Sequence, residues 1–290
     1  MGARGRSPRD EGVSGALVLV ATPIGNMGDL SPRAIEALRT ADVICCEDSR
    51  RTGRLLAHAG IERTSPLLVV NDHTEAGRIG EVLARLASGE RVAVVTDAGT
   101  PGISDPGERL VRAAAAEGHV VEVVPGPSAA VAALVASGLP AGRFVFEGFL
   151  PRKGSGRTQR LAELAGERRT IVVYEAPHRL ARTLADLSTA LGGERRIALA
   201  RELTKLHEEV WRGTIGDAVS WVAQQEPRGE FVIVIDGAPA PGDATDEDVR
   251  DAVDDALRRG LSPRDAAAVV ASALGVPKRR AYAVAIDVQR

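Results

Sequence analysis

The chain has 290 residues, 44% hydrophobic and 26% charged, which is enough to bury two domain cores of ordinary size. Its net charge of −2, from 37 basic and 39 acidic residues, excludes a global positive field, so any RNA contact must be local. Aromatic residues make up only 3%, which argues against ring stacking as the main grip on single-stranded nucleic acid.

The opening stretch, MGARGRSPRDEGVSG, is polar and lacks an apolar signal core, so residues 1–14 are expected to be disordered. Apolar runs then alternate with helical patterns, the mark of α/β layering. Strands are predicted at 16–21, 42–46, 67–71, 91–96 and 120–124, with helices starting at Ser31-Pro32 and spanning Glu75 to Ala87. This first domain, 15–138, should carry a mostly parallel sheet. After a Gly/Pro cluster at 137–143 comes a second domain, 139–238, with strands at 143–149, 170–176, 196–202, 208–213 and 230–236. Few clear helices separate these strands, which predicts a mixed sheet. Residues 237–248 resemble a linker. The final segment, 239–290, reads as linker plus a helical, helix-turn-helix-like tail, with Ser262 capping a helix that stops at Gly275. Residues 243–255 hold seven acids and one base, and 256–290 seven bases and two acids, including the cluster Lys278, Arg279 and Arg280. A solvated helical pair packed on the body explains that tail equally well.

Several chemistries are absent. No G-x-x-x-x-G-K-[ST] cradle occurs, no G-x-G-x-x-G follows the first strand, and H-E-x-x-H and G-x-S-x-G are missing. The five histidines are scattered, so no metal site is expected. The cysteines Cys45 and Cys46 are neighbours, which rules out a disulfide framework or zinc spacing and fits a reducing cytoplasm. The longest small-apolar stretch, 129–136, is far too short for a bilayer span.

What remains is four polar, Gly/Pro-rich strand ends: ATPIGNMGDLSP (21–32), CEDSRRTGRLL (46–56), DAGTPGISDPGE (97–108) and VVPGPSAAVAAL (123–134). In a parallel sheet such ends share one edge and converge on a crevice. In the third loop Asp105 reads as an N-cap, with Pro106 at the first helical position and Glu108 completing a capping-box pattern. In the fourth, Ser128 reads as the cap of an Ala-rich helix.

These stretches, with YEAPHRL (174–180), ARELTKLHEEVWRGT (200–214) and GEFVIVI (229–235), resemble the tetrapyrrole methylase superfamily and, more closely, its ribosomal RNA small subunit methyltransferase I branch. The resemblance covers residues 16–236, and the basic tail is similar to that branch's appended helical domain. It implies a two-domain tetrapyrrole methylase-like α/β fold and a homodimer. The implied activity is methyl transfer from S-adenosylmethionine to a ribose 2′-hydroxyl of a cytidine in the decoding region of 16S rRNA. A nucleoside sulfonium carries no phosphate, which accounts for the missing P-loop. The motif match implies that Pro23, Ile24, Asp97, Gly99, Thr100, Gly102, Ser128 and Ala129 line the cofactor cleft from the first domain. Tyr174, Glu175, Arg201 and Glu230 should close it from the second.

A 2′-hydroxyl must lose its proton, and the candidate acceptors are Glu47, Asp48, Glu202 and a Lys205 of depressed pKa, with Glu47 and Lys205 taken as catalytic. EDSRR also reads as a loop-organising salt-bridge cluster. Arg50 and Arg51 are candidates for RNA phosphates. LPRKGSGRTQR (150–160), with four bases and no acid, is predicted to be a mobile RNA-facing loop through Arg152, Lys153 and Arg157. The resemblance implies 16S rRNA as partner, and the near-neutral charge favours its structured form within the small ribosomal subunit, where shape adds to weak local charge. The rival functions are methylation of a tetrapyrrole and a non-catalytic ribosome-binding module on the same fold.

Overall fold

The β-branched runs of the first half become five strands, each short because Gly, Pro or Asp interrupts it. A computed structural model describes residues 15–62, 67–225, 227–238, 245–258, 260–274 and 276–288. The chain divides into a larger unit, Met1–Asp236, and a smaller one, Gly237–Arg290. The expected disorder of 1–14 lies outside the described residues.

In the larger unit, β1 (Ala16–Val20), β2 (Val43–Cys46), β3 (Leu67–Val69), β4 (Arg91–Val95) and β5 (Val120–Val124) form a sheet of order β3-β2-β4-β1-β5. Every pairing is parallel. Successive side chains point to opposite faces, so Val18 and Ile44 pack under α1 (Pro32–Thr40) and α2 (Ser49–His58). Leu17 and Cys45 pack under α3 (Glu75–Ala87) and α4 (Glu108–Ala116). Both faces are covered, and burial pushes the Cys45 thiol up to about 12, so it is an inert core residue.

The helix α5 (Ala129–Ser137) follows β5 in sequence, yet its buried Ala130, Ala133 and Leu134 pack on Val172, Ala198 and Val232 of a second sheet. The sequence boundary at 138/139 therefore falls after a helix whose core face belongs to the next sheet. Small side chains let α5 approach closely. Its last carbonyls, at Ala136 and Ser137, accept from the Arg212 guanidinium, a cation at a helix C-terminus.

The second sheet contains β6 (Phe144–Phe149), β7 (Thr170–Glu175), β8 (Arg196–Arg201), β9 (Glu209–Thr214) and β10 (Phe231–Ile235) in the order β6-β7-β10-β8-β9. Only β6 and β7 run parallel, so the sheet is mixed, as the sequence predicted. On the face opposite α5 lie α6 (Ser155–Ala165), α7 (Pro177–Leu191) and α8 (Ile215–Ala223), burying Leu161, Leu180, Leu184 and Leu187 on Ile171 and Leu199.

Three local expectations are corrected. The cap of α4 is Gly107, not Asp105. Ser128 stands at the N-cap of α5 but its side chain makes no cap bond. The expected mobile loop at 150–160 is helical from Ser155 onward, because Arg157, Leu161 and Leu164 give α6 a buried face.

The smaller unit is a three-helix cluster, α9 (Asp246–Arg258), α10 (Pro263–Leu274) and α11 (Lys278–Val288), around Val249, Val253, Ala267 and Ala281. The predicted linker ends three residues early, since α9 already begins at Asp246; residues 239–244 and Gly275 lie outside the described residues. Ser262 does cap α10, accepting from Asp265 N at 3.2 Å. Opposite charges of the tail pair with each other, Arg250 with Asp287 and Arg280 with Asp246. Among the described residues, no helix is long and apolar enough to cross a membrane.

Candidate functional site

Because β1, β2, β4 and β5 are parallel, their carboxyl ends deliver all four polar loops to one edge of the first sheet. The first and third loops are stitched together: Thr22 N donates to Gly99 O at 2.9 Å, and Gly99 N returns a bond to Thr22 O at 3.1 Å. The third loop is fixed from afar. The carboxylate of Glu75, only 4% exposed, accepts from Gly107 N at 3.0 Å, Arg109 N at 3.1 Å and Leu110 N at 3.3 Å. It thereby supplies the cap that Asp105 was expected to give. Gly107 holds φ at 128°, a conformation that L side chains rarely adopt, so the loop turns into α4 there.

Two cavities open beside these loops. The first, about 320 Å³, is walled by Ile24, Gly99, Thr100, Ser128 and Ala129 on one side and by Tyr174, Ala200, Leu203 and Val232 on the other. Its rim carries Asp105, Glu202, Lys205 and Glu230. The Tyr174 hydroxyl accepts from Ala130 N at 3.2 Å, replacing the missing Ser128 cap, and its ring packs edge-on against Phe146 and Phe149. The second cavity, about 330 Å³, takes in Pro23, Gly25, Arg51, Arg54 and Asp97. A Cβ on Gly25 would stand 2.9 Å from Leu203 O, so glycine allows the TPIGN loop to cross the β8–β9 connection. In that connection Glu202 and Thr204 hold φ at 49° and 64°, strain of the kind that clusters at ligand sites.

Other sequence-nominated residues fall elsewhere. Gly102, Arg201 and Glu47 line neither cavity; Gly102 N donates to Pro106 O, Arg201 ion-pairs with Glu209, and Glu47 accepts from Asp97 N. Glu175 borders the first cavity, but its carboxylate is consumed by Ala176 N, Thr183 Oγ1 and the Arg179 guanidinium. Arg157 is withdrawn from any RNA-facing role: it is 4% exposed and donates to Asp186, Thr183 and Pro151 O. Arg152 and Lys153 are exposed just before α6, and Lys278 and Arg279 are exposed at the start of α11.

The charges at the rim are coupled. Burial, then the charge of Asp97, raises the proton affinity of Glu47, whose carboxylate accepts from Asp97 N at 3.4 Å. Burial also raises Asp97, against the opposing pull of Arg51 at 3.4 Å. Burial pushes Asp105 up to about 7, with Glu47 and Asp97 adding repulsion. Asp48 instead caps α2 and is held low by Arg50, which spends its own guanidinium there. Lys205 is corrected as a base. Burial pulls its pKa down, but bonds to Glu230 at 2.8 Å and Glu202 at 2.9 Å outweigh this and hold the ammonium above its usual value. A lysine so paired is an acid-stabilised cation at neutral pH.

Sequence reasoning missed Glu75, whose role spans 32 residues, and Arg54, which stands one turn beyond the EDSRR motif. Only the strand order connects the start of α3 to that of α4, and no local signal encodes it.

The comparisons with known proteins agree with this geometry. The family model for Tetrapyrrole (Corrin/Porphyrin) Methylases matches residues 16–219, and that for the RsmI C-terminal HTH domain matches 243–289. Ribosomal RNA small subunit methyltransferase I of Synechocystis sp. is 48% identical over 278 residues, covering 95% of this chain and 99% of the relative. The proteins of the same name from Xylella fastidiosa and Mycobacterium tuberculosis are 51% and 45% identical, covering 92% and 96% of this chain and 98% and 96% of theirs. Among solved structures, the methyltransferase CobJ superposes with a TM-score of 0.59 at 23% identity, covering 78% of this chain and 95% of that one. Cobalt precorrin-4 methyltransferase CbiF gives 0.58 at 20%, covering 80% and 98%. At such identities these two speak for the fold alone. With relatives this similar along nearly its whole length, the chain belongs to the tetrapyrrole methylase family and, within it, to the ribosomal RNA small subunit methyltransferase I group.

Proposed function

We propose that this protein methylates the 2′-hydroxyl of a cytidine ribose in small-subunit ribosomal RNA, using S-adenosylmethionine. The observation that carries the reading is the first cavity: a partly apolar chamber of about 320 Å³ walled by backbone from strand-end loops, without a phosphate cradle, abutting a second, more polar cavity. The residues fit the donor. Ile24, Leu203 and Val232 suit an adenosyl ring, loop amides and carbonyls suit its ribose, and the carboxylates of Asp105, Glu202 and Glu230 suit a cationic ligand. When bound, S-adenosylmethionine supplies a methyl carbon whose bond to sulfur breaks as a bond to the ribose oxygen forms.

The chain's own residues orient and deprotonate. Positioning two reactants in adjoining cavities removes much of the entropic barrier. Proton acceptance falls to Asp97, which lines the second cavity and whose proton affinity burial raises, and not to Glu47, which lines neither cavity, or to the ion-paired Lys205. In this reading residues 15–138 supply the cofactor loops, 139–238 close the cleft and 239–290 assist on RNA. Arg152, Lys153, Lys278 and Arg279 offer exposed positive charge for phosphates. The finer parts are an acceptor cytidine in the decoding region, presented within the assembled small subunit in the cytoplasm, and a homodimer. Exposed Val120 and Val123 on the edge strand β5 and Val131 and Val135 on α5 offer apolar surface for the second copy.

Titration calorimetry with S-adenosylhomocysteine tests the donor assignment, and methyl-transfer assays with naked 16S rRNA, small subunits and a porphyrinoid test the acceptor. Heat of binding together with label in RNA alone is expected. Absence of heat, or label in the porphyrinoid, contradicts the reading.

A further inference from the structure

The two cavities share a wall made of Ile24, Ala98, Lys205 and Glu230, so a ligand in one stands beside a ligand in the other. Their linings differ in chemistry. The second is lined by the carboxylate of Asp97, an acceptor for sugar hydroxyls, and by the buried Thr22, Thr52 and Thr96, of which Thr22 and Thr96 already donate to backbone carbonyls and are left as acceptors. Its α2 side presents Arg51 and Arg54, three residues apart and hence neighbours on one helix face. Arg51 is paired with Asp97 and is 56% exposed. Arg54 is exposed and makes no ion pair or side-chain hydrogen bond with any described residue. A guanidinium in a cavity wall without an acidic partner is a ready donor for an anion, and its planar fork matches phosphate.

We propose that the second cavity seats the acceptor nucleotide, with Arg54 and Arg51 holding the RNA backbone phosphate and the threonine and Asp97 groups holding the ribose. The shared wall then marks where acceptor sugar and methyl donor adjoin, and Lys205, tied to Glu202 and Glu230, keeps that wall in place. This assignment rests on the rRNA reading above. The competing occupant is the donor's own carboxylate, which a lone arginine would also bind.

The test uses the full chain and its R54A, R51A and R54K variants, with small ribosomal subunits and S-adenosylhomocysteine as separate probes. Both arginines are exposed, so the variants should fold. R54A should bind subunits severalfold more weakly, and the slope of log affinity against log salt should fall by about 0.7–0.9 per lost phosphate contact. R51A should act in the same direction, and R54K should restore most of the affinity and slope. The calorimetric affinity for S-adenosylhomocysteine should stay constant throughout. Unchanged subunit affinity and slope in R54A overturn the proposal, as does an equal loss for S-adenosylhomocysteine, which would give the cavity to the donor. Wild-type protein that binds S-adenosylhomocysteine but not subunits overturns the rRNA reading itself, and this assignment with it.

Discussion

Glu75 shows how one buried side chain can govern a loop that contributes nothing to it in sequence. Its carboxylate holds three backbone N–H groups at the start of α4, so truncation leaves three donors unpaired in a buried place. E75A should lower the unfolding free energy in urea by about 1–3 kcal/mol and weaken S-adenosylhomocysteine binding, because Gly99 and Thr100 share that loop. E75Q, which keeps an acceptor oxygen, should recover part of both. Asp105 makes the opposite kind of statement. Its folded-state value of about 7 lies above that of an unfolded aspartate, so the folded chain holds the extra proton. The stability it contributes is complete below about pH 4 and is lost as pH rises through about 7. D105N should lose less melting temperature across this window than the wild type, the remaining decline coming from Glu47 and Asp97, whose proton affinities are also raised. A cationic donor should also bind the wild type more tightly as pH passes 7, a trend that D105N should lack.

At the scale of elements, α5 is the hinge of the architecture, since it leaves the first sheet and roofs the second through Ala130 and Ala133. Ala133 is fully buried, so A133L should overpack the contact, cost about 1–3 kcal/mol in chemical denaturation and reduce ligand affinity by spreading the cleft. Unaltered stability would mean that the helix is not tightly packed on the second sheet. The strands were legible in the sequence because runs such as VAVV and IVVY are β-branched, bounded by turn residues and buried on both faces. The cleft loops were legible because Gly and Pro accumulate where strands end. The caps of α4 and α5 were not, although that of α10 at Ser262 was: Gly107 borrows a carboxylate from α3, and α5 borrows the Tyr174 hydroxyl, both supplied by tertiary contact. Arg157 misled for the same reason. A basic, glycine-containing stretch reads as solvated, whereas Asp186 and Thr183, about 30 residues on, bury the guanidinium.

At the scale of the whole molecule, two sheets meet so that a partly apolar cavity and a more polar one share one wall, and in a near-neutral chain the second cavity is lined by Arg54, which has no ion pair among the described residues. That arrangement suits a structured RNA particle, where shape adds to local charge. The decisive experiment incubates the purified protein with a donor labelled at the methyl group and small subunits from cells lacking the homologous enzyme, then maps the label to fragments of the RNA and digests the labelled fragments to nucleosides. The label should appear in 2′-O-methylcytidine at a single position. Label on a base, label spread over many positions, or none at all in a preparation that binds S-adenosylhomocysteine would contradict the assignment.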